Sequence, residues 1–123
     1  MKSPRVKRVY EPSSESDGVR VLVDRLWPRG ISKEKAKIDL WLKDISPSDA
    51  LRKTYHAEPE KWEQFCLAYA AELTVGPAVS ATKTLLDLCK AGPVTLLYAA
   101  RDEVRNNAVA LRDWIERRYK RRR

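Results

Sequence analysis

Two short apolar runs constrain this chain more than any other feature. Val19-Arg20-Val21-Leu22-Val23-Asp24 and Val94-Thr95-Leu96-Leu97-Tyr98-Ala99-Ala100 are almost continuous in β-branched and aliphatic residues. A strand with one wet face alternates apolar and polar residues, whereas a run like these marks a strand buried on both faces. Strands of that kind lie in parallel sheets, and parallel neighbours need long crossovers, usually helical. The segments between the two runs carry helical patterning broken by Gly and Pro. The expected fold class is therefore α/β, a small mostly parallel β-sheet of about three to four strands covered by helices.

The remaining segments fit that frame. Arg5 to Tyr10 alternates apolar and basic residues, as a half-buried strand does. Glu11 to Gly18, rich in Ser, Asp, Pro and Gly, reads as a loop. Ser32 caps a short helix from Lys33 to Lys37. Ile38 to Ile45 reads as a third strand. Ser46-Pro47-Ser48 signals a helix start, with the helix from Asp49 to Tyr55. Glu60 to Leu73 places Trp62, Phe65, Cys66, Tyr69 and Leu73 on one helical stripe. Gly76-Pro77 breaks it, and Val79 to Lys90 forms the next helix, with Leu85, Leu88 and Cys89 facing inward. Asp102 stands as the cap of a last helix from Glu103 to Lys120.

A length of 123 residues suits one domain, 1–123, ending in a basic tail at 117–123. Hydrophobic residues are 43% of the chain and charged residues 34%, enough for a core under a well-solvated surface. No apolar run approaches the roughly 20 residues of a membrane helix. The basic N-terminal residues are not followed by an apolar segment, so a secretory signal is not expected and the cytoplasm is the expected compartment. Cys66 and Cys89 sit in helical patterns and read as buried thiols rather than a disulfide.

The net charge of +8 is unevenly placed. Arg117, Arg118, Lys120, Arg121, Arg122 and Arg123 form a block without acidic residues, and Met1 to Arg8 holds four basic groups and no acidic one. The stretch between them carries 15 basic against 17 acidic residues, so the body is close to neutral. The tail suits a helix C-terminus facing its macrodipole, or alternatively a polyanion such as nucleic acid.

Several catalytic signatures are missing. The chain has no Gly-rich phosphate loop ending in Gly-Lys, no G-x-G-x-x-G fingerprint and no G-x-S-x-G elbow. The position six residues after each cysteine is Glu72 or Thr95, not the arginine of a cysteine phosphatase loop. One histidine and no C-x-x-C do not make a structural zinc site, and no metal site is expected. No cofactor is indicated.

Candidate site residues cluster where the strands end. Asp24-Arg25-Leu26-Trp27-Pro28-Arg29-Gly30 joins a carboxylate, two guanidiniums and an indole on a turn straight after a buried strand. Ligands of open α/β sheets bind outside the carboxyl ends of strands. Arg25 and Arg29 suit a phosphate or carboxylate, and Trp27 suits either a flat ligand or the core. Asp24 is a candidate for proton transfer, or else an ion-pair partner of its neighbours. In a parallel sheet Tyr98, Asp102 and Asn106 share this rim, near a helix N-terminus that favours anions. Ser48 and Arg52, a helical turn apart, reach one anion if Ser48 is not only a cap. His56, the chain's single histidine and so its one side chain of the type suited to proton transfer near neutral pH, is either a second proton-transfer candidate or a charge complement to its helix end.

Asp17-Gly18-Val19-Arg20-Val21-Leu22-Val23-Asp24-Arg25-Leu26-Trp27-Pro28-Arg29-Gly30, followed by Trp41, Lys43, Pro47-Ser48, Leu51-Arg52-Lys53, His56, Tyr69, Glu72-Leu73 and Val94 to Ala100, closely resembles the YeaO-like family, a bacterial domain of unknown function numbered 488. The resemblance runs from about Arg8 to Ile115. It implies a cytosolic α/β fold and supplies no reaction. Relatives commonly carry Asn-His-Ala where this chain has Asn106-Asn107-Ala108. Asn107 can hydrogen-bond a ligand but cannot act as a base.

Two functions of different class follow. The first is an anionic small molecule or nucleotide bound at the C-terminal rim of the sheet, with or without a reaction. The second is nucleic-acid association through the basic tail.

Overall fold

The computed structural model of the chain describes residues 1–120. It runs β1 (Arg5–Arg8), a 3-10 turn (Glu15–Asp17), β2 (Val19–Leu22), α1 (Lys33–Ala36), β3 (Leu40–Trp41), a second 3-10 turn (Lys43–Ile45), α2 (Asp49–Ala57), α3 (Trp62–Glu72), α4 (Pro77–Ala91), β4 (Val94–Tyr98), α5 (Asn107–Ile115) and a wide π turn (Glu116–Lys120). The four strands form one sheet in the order β1-β4-β2-β3, and each neighbouring pair is parallel. This is the α/β fold with a small parallel sheet that the sequence led us to expect. The two most apolar runs occupy the two central positions, where both faces are covered.

The sheet divides the core in two. Val21, Val23, Val94, Leu96 and Tyr98 point to one side and pack against Phe65, Tyr69, Leu85, Cys89, Leu111 and Ile115 from α3, α4 and α5. Leu22 and Leu97 point to the other side and meet Val9 and Ala36, with Trp27, Ile31, Ile38 and Trp41 around them. Strand alternation thus gives each run two apolar faces.

A buried charge network fastens the first strands together. Arg20 donates to Asp17 Oδ2 at 2.6 Å and to the carbonyls of Ala36 and Lys37 at 2.8 and 2.9 Å. Lys7 Nζ reaches both oxygens of Asp17 at 3.2 Å. Burial alone would raise the Asp17 pKa, but these donors and the Ser14 N–H outweigh it and hold the carboxyl below its usual range.

Several boundaries differ from the sequence reading. The third strand is only Leu40–Trp41, not Ile38 to Ile45. The chain turns at Lys43–Ile45 because Ile45 must leave the sheet edge to enter the core, where it is fully buried. The last helix begins at Asn107 with Asn106 as its cap, not at Glu103. Asp102 instead accepts the N–H groups of Val104 and Arg105 at 2.9 Å, closing a separate turn just before it. Cys66 and Cys89 are both free thiols, half-buried and buried.

Candidate functional site

The C-terminal ends of β1, β2 and β4 open onto a cleft of about 940 Å³. Because the sheet is parallel, the loops after these strands leave from one rim, and α2 closes the opposite side. Among the residues expected at a site, Asp24, Arg25, Trp27, Arg29, Arg52, His56, Asp102 and Asn106 line this cleft, whereas Ser48 and Tyr98 do not.

Asp24 is the fixed centre of the rim. Its Oδ2 accepts the Ala99 N–H at 3.0 Å, and its Oδ1 accepts Asn107 Nδ2 at 2.9 Å. Its backbone carbonyl accepts Trp41 Nε1 at 2.7 Å. These bonds tie the ends of β2 and β4, α5 and the β3 edge to one residue. Burial pushes the Asp24 carboxyl above its ordinary pKa, while the Asn107 and Ala99 donors and the charge of Arg52 pull in the other direction. The partners of Asp24 are thus an amide and a backbone N–H rather than Arg25.

The guanidiniums around it are loosely held. Arg25 reaches the Ser46 and Pro47 carbonyls only at 3.3–3.4 Å, beyond ordinary hydrogen-bond length. Arg52 meets Asp49 at 3.3 Å in a solvent-exposed pair, and its Nε is buried with no acceptor among the described residues. Arg8 is better anchored, donating to the carbonyls of Ala99 and Ala100 at 3.0 and 2.9 Å. With Arg29, Arg101 and Arg105 the lining holds six arginines against two carboxylates, Asp24 and Asp102. The lining therefore carries more cationic than anionic side chains.

Other candidates have structural employment. Trp27 donates its Nε1–H to the Ile31 carbonyl at 2.8 Å and meets Trp41 edge-on at 5.6 Å, so one side of the ring is core while another borders the cleft. Ser48 caps α2 through Leu51 N, and Glu72 takes its hydroxyl at 2.6 Å and its N–H at 2.8 Å. Tyr98 is 2% exposed and belongs to the core. Asn106 caps α5 by accepting Val109 N at 2.9 Å. His56 is exposed on the last turn of α2.

Sequence reasoning did not mark Arg8, Tyr55, Phe65, Arg101 or Arg105 as part of the cleft. Arg101 and Arg105 flank Asp102 and were legible as neighbours of the second strand end. Arg8, Tyr55 and Phe65 carry no local signal, since an alternating strand and an amphipathic helix look the same wherever they dock.

Of the basic tail, Arg117 and Arg118 are exposed, and Arg118 lies over the Trp114 ring at 5.4 Å. The side chain of Lys120, together with Arg121, Arg122 and Arg123, lies outside the described residues. Among the described residues, no helix is long and apolar enough to cross a membrane, and no group of three His, Cys, Asp or Glu side chains is placed to hold a metal ion.

The sequence profile described as "Inactive DUF488-N3 subclade" matches residues 4–123. The uncharacterised protein YeaO of Escherichia coli (strain K12) is 47% identical over 109 residues, covering 89% of this chain and 93% of that protein. An uncharacterised protein of Mycobacterium tuberculosis is 41% identical over 107 residues, covering 87% of this chain and 88% of its own length. No solved structure matches the chain significantly.

Proposed function

From the premise that the chain belongs to the DUF488 family of YeaO-like proteins, we propose that it binds an anionic small molecule, such as a phosphate- or carboxylate-bearing metabolite or a nucleotide, in the cleft at the C-terminal rim of its sheet. The observation that carries this reading is Arg52, whose Nε is buried beside the cleft without an acceptor. A buried N–H left unpaired is costly, and an anion that draws the guanidinium into a bidentate grip relieves that cost. Arg25, with only long contacts to carbonyls, is available to the same anion.

Binding without turnover is the form of this function that the chemistry favours. An imidazole against Asp24 would make a proton-transfer pair, but the partner is the Asn107 amide, which does not titrate. His56 is exposed, and no described group orients it toward a reacting atom. The subclade description, "inactive", agrees with a cleft that holds a ligand and leaves it unchanged.

The test is thermal unfolding of the full chain against inorganic phosphate, nucleotides and small carboxylates. A ligand at about 100 times its dissociation constant adds roughly 2.7 kcal/mol of stability. The stabilisation should be lost in Arg52→Gln and weakened in Arg29→Ala, with the ligand recovered unaltered after incubation. Equal stabilisation of all three proteins would overturn the assignment. A chain ending at Tyr119 that alone lost oligonucleotide binding would move the function to the basic tail.

A further inference from the structure

A bare anion uses little of this cleft. Its volume, about 940 Å³, is near the upper end for small-molecule sites and has room for a body as well as a charge. One face of α2 shows what that body meets. Arg52, Tyr55 and His56 stand at i, i+3 and i+4 and all line the cleft, so cation, phenol ring and imidazole lie side by side. Behind Tyr55 the Phe65 ring packs at 4.8 Å between centroids, and it too borders the cleft. Trp62 stacks on Phe65 at 5.5 Å, which stiffens this aromatic wall from behind. Asp102 and Arg105 line the same cleft.

An aromatic wall one helical turn from an under-coordinated guanidinium recognises a ligand in which a flat ring and a phosphate are joined by a short spacer. We infer that the cleft takes a nucleotide, with its base against Tyr55 and its phosphate on Arg52 and Arg25. This rests on the anion site proposed above and adds the aromatic half of the ligand. The same chemistry comes from free mononucleotides or from a single strand, since a cationic groove with stacking rings suits both.

The experiment is calorimetric titration of the full chain with adenosine monophosphate, ribose 5-phosphate and a short single-stranded oligonucleotide, repeated with Tyr55→Leu and Tyr55→Phe. Stacking predicts that adenosine monophosphate binds about five- to a hundredfold tighter than ribose 5-phosphate. Tyr55→Leu should erase that advantage and leave the ribose 5-phosphate affinity unchanged, while Tyr55→Phe keeps it. An oligonucleotide that binds tighter than the mononucleotide, with the same loss in Tyr55→Leu, upholds the inference and makes the source a strand. An oligonucleotide no tighter than the mononucleotide upholds it with free nucleotides as the source. Equal affinity for the two monophosphates overturns the inference and leaves the anion site standing. Binding of neither monophosphate nor oligonucleotide overturns both.

Discussion

Asn107 donates its side-chain amide to Asp24 Oδ1 at 2.9 Å and to the Val23 carbonyl at 3.1 Å. One short side chain thereby joins the first turn of α5 to the end of β2, at the floor of the cleft. Replacing it with the near-isosteric Asn107→Leu leaves a half-buried carboxylate oxygen and a carbonyl without this donor. The variant should lose about 1–3 kcal/mol of stability, measured by denaturant unfolding. A loss within 0.5 kcal/mol, the ordinary scatter of about that size for surface changes, would show that the pair does not hold the rim together.

Asp24 and Asp17 should affect stability with opposite pH dependence. The folded pKa of Asp24 is raised, so its stabilising share is complete in acid, below the usual 3.8, and is lost as pH climbs through the raised value. The folded pKa of Asp17 is lowered, so its share is complete above 3.8 and is lost as pH falls through the lowered value. Unfolding free energies of Asp24→Asn and Asp17→Asn against the unaltered chain, taken across acid pH, should therefore diverge in opposite senses. At neutral pH Asp17→Asn should cost about 3 kcal/mol or more, because it leaves the buried Arg20 charge unpaired. Parallel profiles for the two variants would contradict these environments.

Gly18 is irreplaceable for two reasons that act together. Its φ is +65°, and a Cβ there would lie 2.1 Å from the Pro93 carbonyl oxygen. That carbonyl accepts the Val19 N–H at 3.0 Å, which starts the pairing of β2 with β4. Backbone cannot yield there without breaking the sheet. Gly18→Ala should cost at least about 2 kcal/mol, read as a fall in melting temperature. Gly30 also has positive φ but no neighbour within 4 Å, so Gly30→Ala should cost less.

The two thiols should differ in reactivity. Burial raises both pKa values, that of Cys89 to about 11, and Cys89 is 4% exposed while Cys66 is only half-buried. A disulfide reagent at pH 8 should modify Cys66 first, with Cys89 reacting fast only after denaturation. Cys66→Ala and Cys89→Ala variants assign the two phases. A rapid phase surviving in Cys66→Ala would contradict the burial of Cys89.

The parallel sheet was legible in Val19 to Val23 and Val94 to Tyr98, because continuous apolar strands have no stable place except between two layers. Caps were legible where the side chain acts on its own backbone, as with Ser32 and Ser48. The short third strand was not, since Ile38 to Ile45 alternates well enough for a strand and only the demand of the core for Ile45 turns the chain. Asp102 misled for a related reason. It does cap N–H groups, but those of a turn, and the helix starts at Asn107 because Asn106 accepts the Val109 N–H as its cap and Asn107 reaches Val23 and Asp24 at the end of β2.

Composition and pattern by themselves determined the fold class and the sheet edge that gathers polar residues, because burial and periodicity are properties of local segments. Strand order, the meeting of Asn107 with Asp24 and the docking of the Arg52–Tyr55–His56 face were decided only by tertiary structure. Those contacts join residues distant in the chain, and their energy depends on the packing of helices that share no local signal with the strands they cover.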